Sequence, residues 1–557
     1  MFEKIDKFNI RFKKKGWSES DIFFAACLDF TPEEDTLIAD VRIVCKKAMN
    51  AFLKNVFPHF MNHGNYQVAR NNLFSILKTM YADAMEDFMV NHYWKAGYKE
   101  LVGKDLWDHQ KTTLAQSIHR LNNLWALDMG TGKTLTAATM SKITDAKRTV
   151  VICPAVVKWN WIDDMTKKWG FNALEWSLLD SKKSKSKFAF NEKFVVLNYE
   201  QVGLKMDYLL RDIVDHVIID ESHYLKNHKA QRSKNVASLI KQSDNPRVTM
   251  LTGTPVTNRI NDFFNYLKIA KHPLGDSLYK FKEMYALMSG TRGGKINGAK
   301  NIPDLRAKTS NLMIRLRSED CMDLPKLIIN KYYMEVDDLS NEYKDELALL
   351  KGKKERFNLL EEGKEKQKMI MEIQANIHTL NRLASTSKVK KVLELVKYLN
   401  DLGHKTVVFS GYTDPLMLLE RKLGDSCVKI DGSVSSDKRR SIINRFIEDP
   451  KCMNFLGNMQ AAGIGINLVN AQHVIFMNFP FTPDQIEQSQ KRLHRGGQTK
   501  SVTAYYTIAR GTIDEHIYDL IIDKSEDINA LIDGDHDGVT HYANIASQLF
   551  NELMKAS

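Results

Sequence analysis

The sequence predicts an α/β protein with two parallel-sheet lobes, a helical module ahead of them and a helical insert between them. Three observations lead there. Short apolar runs rich in β-branched residues recur between residues 149 and 251, the same texture returns after residue 388, and the stretch between them is helical in period. Continuous apolar runs suit strands covered on both faces, the pattern of parallel sheets. At 557 residues the chain exceeds one ordinary core, and at about 100–200 residues per domain it should divide into about three or four.

Residues 1–100 read as a helical accessory module. Leu37, Val41, Val44, Ala48 and Phe52 share one face at helical spacing, and a second helical pattern runs from Tyr66 to Tyr93. The first lobe spans 101–260, with expected strands TVVIC at 149–153, FVVLN at 194–198, HVIID at 216–220 and RVTML at 247–251. Residues 261–385 form the helical insert, where Ile370, Ile373, Ile377 and Leu380 mark a core face. Its segment SGTRGGKINGAKN at 289–301 is expected to be a mobile, solvated loop. The second lobe spans 386–530, with VVF at 407–409, CVKI at 427–430, VIFM at 474–477 and VTAYYTI at 502–508; residues 531–557 are a tail.

Composition narrows the function classes. Hydrophobic residues at 43% and charged residues at 27% are globular values, and 12 prolines and 28 glycines argue against a collagenous or low-complexity chain. A net charge of +12 favours a polyanionic partner such as nucleic acid, although many cytosolic proteins are mildly basic. None of the six cysteines forms a C-x-x-C pair, so neither a disulfide framework nor a zinc module is signalled. No signal-peptide-like or membrane-spanning apolar stretch stands out, so a reducing, cytoplasmic setting without membrane attachment is expected.

The sharpest local signal is LDMGTGKTLT at 127–136. A phosphate-binding loop needs glycines that let backbone N–H groups face the phosphates, a lysine for the β and γ oxygens, and a hydroxyl for Mg²⁺. Gly130, Thr131, Gly132, Lys133 and Thr134 supply those parts, yet the full pattern would put glycine at Leu127, and an ordinary glycine turn into a helix remains an alternative. HVIIDESH adds Asp220 and Glu221 at the end of an expected strand, where one carboxylate can hold the Mg²⁺ shell and the other can orient and deprotonate water. An isolated Asp-Glu pair is otherwise a solvated acidic turn. In the second lobe QSQKRLHRGGQ places Arg492 and Arg495 three apart, on one face of an expected helix, either as a solvated basic face or as transition-state cations for phosphoryl transfer.

In order along the chain, LWDHQKTTL, LDMGTGKT, VVICPAVVKWNWIDDMTKKW, VVLNYE, DESHYLKN, LTGTPVTN, MIRLRSEDCMDLPK, KTVVFSGY, IDGSVSS, AAGIGINL and QKRLHRGGQTK resemble the motifs of the superfamily-two helicase core, specifically the Snf-type double-stranded-DNA translocases. The resemblance covers residues 104–525 and is nearest to HARP-type annealing helicases and compact bacterial or phage relatives. It departs at Gln460, where many relatives carry arginine, and at Gly496, where isoleucine is usual.

The resemblance implies two RecA-like lobes with ATP and Mg²⁺ between them. Gln110 would read the adenine, Gly463 and Gly465 would line the nucleotide, and Thr134 with Asp220 would hold Mg²⁺. Lys158, Trp159, Tyr199, Thr254, Ser410 and Gly463 would line a DNA track, with Trp159 equally readable as core. Double-stranded DNA, forked or branched in some settings, is the expected partner, and residues 1–100 could specify a protein partner. An ATP-driven duplex translocase, a strand-separating or strand-annealing helicase, and a non-hydrolysing nucleotide-sensing scaffold are the readings to separate. The setting would be bacterial or phage-infected cytoplasm, or the nucleus of a eukaryote.

Overall fold

The computed structural model describes residues 2–4, 9–13, 31–33, 36–40, 106–118, 120–179, 192–255, 260–289, 295–336, 339–360, 363–462, 466–481, 483–521 and 540–541. The chain divides into two compact units, Met1–Arg120 with the short pieces Lys142–Thr144 and Trp169–Phe171, and the remainder.

In the first unit the described N-terminal residues are strands. β1 (Phe2–Lys4), β2 (Asn9–Lys13), β3 (Thr31–Glu33) and β4 (Thr36–Asp40) form an antiparallel sheet of order β1-β2-β4-β3. This corrects the helical expectation where it can be judged: Leu37 pairs with Phe12 across β4 and β2, so its sheet hydrogen bonds override a helical spacing that continues to Phe52. The Tyr66–Tyr93 pattern lies outside the described residues. The helix Asp108–Ser117 follows, and the Gln110 side chain accepts the Trp107 backbone N–H at 3.0 Å, capping the helix start.

The second unit contains two all-parallel sheets, as expected. In the first lobe β5 (Asn122–Leu127), β6 (Thr149–Cys153), β7 (Trp176–Leu178), β8 (Phe194–Asn198), β9 (His216–Ile219), β10 (Arg247–Thr252) and β13 (Met313–Leu316) take the order β13-β5-β10-β9-β6-β8-β7. Val150, Ile152, Leu197, Val217, Ile219 and Met250 are almost wholly excluded from water. Each contributes about 1.5–3 kcal/mol of burial, which is why these runs lack polar alternation.

The second lobe pairs β14 (Leu327–Met334), β15 (Thr406–Ser410), β16 (Cys427–Ile430), β17 (Asn454–Asn458), β18 (His473–Phe476) and β19 (Val502–Ala509) in the order β14-β19-β18-β15-β17-β16. The helical insert is therefore narrower than residues 261–385. Its Met313–Leu316 is an edge strand of the first sheet and its Leu327–Met334 an edge strand of the second. Besides the helices Asn261–Ile269, Leu278–Tyr285 and Ile302–Thr309, it contains the long helices Asn341–Leu359 and Lys364–Ser387, with Ile373, Ile377 and Leu380 in the second core while Ile370 is exposed.

The expected mobile loop is also partly ordered. β11 (Ala286–Ser289) and β12 (Lys295–Ala299) form an antiparallel hairpin, with Ile296 and Ala299 buried. Within the expected C-terminal tail, β20 (Thr540–His541) adds to β12 as a third strand.

Candidate active site

The carboxyl ends of three neighbouring interior strands, β5, β10 and β9, build the site at one end of the first sheet. After β5 the chain turns through Gly130 and Gly132, whose φ angles of +87° and +79° favour glycine, and enters the helix Lys133–Ile143. Thr131 Oγ1 donates to the Asp128 carbonyl at 2.8 Å and braces the turn. The Lys133 ammonium reaches back over it, donating to the carbonyls of Leu127 (2.7 Å) and Asp128 (3.1 Å). Burial lowers its pKa, opposed by the nearby charges of Glu221, Asp220 and Asp128. From β10, Gly253 comes close enough that an added Cβ would stand 3.9 Å from Lys133 Nζ.

After β9, the Asp220 carboxylate is held at both oxygens. Trp161 Nε1 donates to Oδ2 at 2.8 Å and the Glu221 backbone N–H donates to Oδ1 at 2.9 Å. Glu221 occupies the left-handed region (φ 49°), which turns the chain sharply into the short helix at Ser222–Leu225. His223 Nδ1 stands 3.3 Å from Glu221 Oε2. Burial, reinforced by Glu221, pushes the Asp220 carboxyl up; burial would also raise Glu221, but His223, Lys133 and Arg492 hold it low. The two carboxyls are thus set apart in proton affinity.

The second lobe closes the site. A Cβ on Gly130 would come within 3.0 Å of Arg495 Cβ, so the arginine segment lies directly against the phosphate loop. Arg492 is buried, with Nη2 3.6 Å from Met129 Sδ, and burial together with Arg495 lowers its pKa to about 10. The expectation that both arginines lie on a helix is corrected. The helix Pro483–Gln490 ends before them, and the following turns are folded back by buried Gln498, whose Nε2 donates to the carbonyls of Val469, Ala471 and Leu493.

Four residues to which the sequence assigns no role complete the site. Asp128 accepts Lys491 Nζ at 2.6 Å and Arg315 Nη1 at 2.8 Å, while Trp161 braces Asp220. Burial would raise the Asp128 carboxyl, but Lys491 and Arg315 hold it below the usual range. Asp128 and Lys491 lie inside the quoted motifs; only their separation in the chain hid the pairing.

The expected DNA-track residues separate. Trp159 is 44% exposed on the helix Lys158–Asp163, which decides against the core alternative, whereas Lys158 is largely buried. Tyr199 and Ser410 are internal. Tyr199 Oη donates to the Asp220 carbonyl at 2.6 Å, and Ser410 Oγ donates to Asn478 Oδ1 at 3.0 Å. Their side chains are committed beneath the surface, which corrects their placement along a track. Thr254 Oγ1 is buried without a hydrogen-bond partner among the described residues. Gly463 and Gly465 lie outside the described residues.

Among the described residues no three His, Cys, Asp or Glu side chains form a metal cage. The Thr134 hydroxyl and the Asp220 carboxylate are hard oxygen donors, the chemistry Mg²⁺ takes beside substrate phosphates.

The SNF2-related domain model matches residues 81–392 and the helicase conserved C-terminal domain matches residues 387–497. The chain is similar to a Caenorhabditis elegans SWI/SNF-related matrix-associated actin-dependent regulator of chromatin subfamily A-like protein 1 homolog, with 27% identity covering 75% of this chain and 61% of the relative. It is also similar to the Mus musculus DNA annealing helicase and endonuclease ZRANB3, with 24% identity covering 73% of this chain and 39% of the relative. The chain thus spans less than two thirds of either relative's length. A Sulfolobus solfataricus SWI2/SNF2 ATPase core in complex with dsDNA aligns with 78% of this chain and 94% of its own at 23% identity, with a TM-score of 0.37. These curated relatives are animal proteins and lend no support to the expected bacterial or phage source. No helix among the described residues is long and apolar enough to cross a membrane.

Proposed function

The chain belongs to the SNF2-related family, and from that premise we propose that it is an ATP-dependent double-stranded-DNA translocase, moving along or remodelling DNA or protein–DNA complexes. The observation that carries this reading is the approach of Arg495 to Gly130, because it brings second-lobe cations onto a first-lobe phosphate loop. A scaffold that only sensed nucleotide would not need Lys133, Glu221, Arg492 and Arg495 to converge.

In this reading the N–H groups of Gly130 to Thr134 and the Lys133 ammonium hold the β and γ phosphates, and Gln110 reads the adenine. Thr134 and Asp220 would hold Mg²⁺, which would supply charge neutralisation at the phosphates. Glu221, kept ionised by its neighbours, orients the attacking water and accepts its proton. Arg492 and Arg495 stabilise charge spreading over the transferred phosphoryl group, a contribution of about 10³–10⁵ in rate. Because the arginines belong to the second lobe, hydrolysis is coupled to lobe closure and opening.

Duplex DNA is gripped through its phosphates, as a sequence-tolerant motor requires, and the +12 charge supplies the salt-dependent attraction. Trp159, Thr254 and Gly463 remain the positions assigned to that track. Forked or branched duplexes are among the forms it acts on, residues 1–100 select a protein partner or DNA structure, and the protein works in the cytoplasm or, in a eukaryotic cell, the nucleus. ATP-dependent displacement of a third strand from a triplex tests the proposal directly; absence of displacement by the intact chain under conditions of ATP turnover would count against translocation. The similarity to ZRANB3, a DNA annealing helicase and endonuclease, favours a second reading, strand rejoining, which rewinding of a single-stranded bubble would reveal.

A further inference from the structure

Lys491 precedes Arg492 directly and belongs to the second lobe, yet its ammonium sits on a first-lobe carboxylate. Its Nζ lies 2.6 Å from Asp128 Oδ2 and 2.5 Å from Glu487 Oε1. Asp128 is itself fixed. Arg315 Nη1, from β13, approaches Oδ1 at 2.8 Å, and the Ser318 backbone N–H donates to Oδ2 at 3.2 Å. Both members of the bridge are mostly buried, with side-chain exposures of 15% for Lys491 and 7% for Asp128, so water screens the pair poorly.

The location gives the contact its meaning. Asp128 opens the turn containing Gly130, and Arg495 packs on that same glycine four residues after Lys491. The Arg492 side chain reaches Met129, the residue between Asp128 and Gly130. One ion pair thus pins the base of the phosphate loop to the start of the segment carrying both arginines. A second bridge, Arg440 to Asp163 at 2.9 Å, also joins the lobes, but its arginine is 60% exposed and it is remote in sequence from the arginine segment.

We propose that Lys491 is a positioning residue for ATP hydrolysis, whose bridge to Asp128 sets Arg492 and Arg495 against the phosphate loop. This rests on the proposed ATPase reading. Lys491 acts through the arginines, so its loss should spare nucleotide binding and impair turnover. The variant should retain the fold, because Asp128 keeps Arg315 and the Ser318 N–H as partners.

The test compares Lys491→Met, Lys491→Arg and the unaltered full chain with duplex DNA, measuring ATPase rate and the affinity of a fluorescent, non-hydrolysable ATP analogue. Lys491→Met should lower kcat by about tenfold to a hundredfold while leaving analogue affinity within about twofold. Lys491→Arg should recover most of the rate, since arginine can restore the charge contact. An unchanged kcat in Lys491→Met, or equal loss of analogue affinity and turnover, overturns the positioning role. Energy transfer between one dye on each lobe supplies an independent measurement, with Lys491→Met expected to lower it in the nucleotide-free chain. If the unaltered chain shows no ATPase activity, the functional reading fails while the lobe bridge is still judged by that transfer; an unchanged value overturns the bridge.

Discussion

Trp161 Nε1 donates to Asp220 Oδ2 at 2.8 Å, tying the helix Lys158–Asp163 to the carboxylate after β9. Indole has one N–H, so the bond fixes one Asp220 oxygen and leaves the carboxylate little freedom to rotate. Trp161→Phe keeps most of the apolar volume and removes the donor. Groups that orient a metal ligand commonly influence affinity or activity by about 10–100-fold, so the Mg²⁺ concentration giving half-maximal ATPase should rise by about tenfold. A magnesium titration of the variant checks this.

Glu221→Gln removes the proposed base while retaining similar shape. The variant should bind ATP and lose about 10²–10⁴-fold in turnover, the usual reach of general-base catalysis. Single-turnover hydrolysis and nucleotide binding measured on the same sample separate the two effects.

A buried ion pair gives a stability prediction in the second lobe. Lys388 Nζ contacts Asp514 Oδ2 and donates to the Thr507 carbonyl, and both charged side chains are fully buried. Lys388→Met leaves Asp514 without its cation and should destabilise the lobe by about 3–5 kcal/mol. Replacing both, as Lys388→Met with Asp514→Leu, should recover much of that loss. Urea unfolding of the two variants measures the difference.

His216 predicts the pH dependence of the first lobe. It is buried between Ser141 Oγ at 2.7 Å and Thr249 Oγ1 at 2.8 Å, and burial, aided by Arg247, holds its pKa well below the ordinary value. The folded imidazole stays neutral while the unfolded one gains a proton near pH 6.5, so stability is full above about that pH and declines as pH falls. The urea midpoint should therefore drop between about pH 7 and pH 5.5. His216→Asn should show a shallower slope over the same interval.

Much of the engine was legible because its physics is local. HVII and TVVIC were readable as strands since both faces are buried, and the phosphate loop announced itself through glycines followed by Lys133. Edge strands were harder. β14 exposes Ile328, Ile329, Tyr332 and Tyr333, so it shows neither a continuous buried run nor a one-sided alternation. β17 was obscured by Gly457, although a Cβ there would stand 2.7 Å from the Phe409 ring. β4 contains Leu37, which also fits a helical spacing, and its pairing with β2 and β3 distinguishes the two. The Lys491–Asp128 bridge depends on lobe closure, which no local pattern encodes.

The most direct test of the central claim is steady-state ATP hydrolysis by the full chain without DNA, with single-stranded DNA and with duplex DNA, each across a salt series. The account predicts strongest stimulation by duplex, weakening as salt rises because the grip is on phosphates. Stimulation by single strands alone would contradict the duplex-translocase assignment, and no DNA-stimulated turnover would contradict the motor altogether.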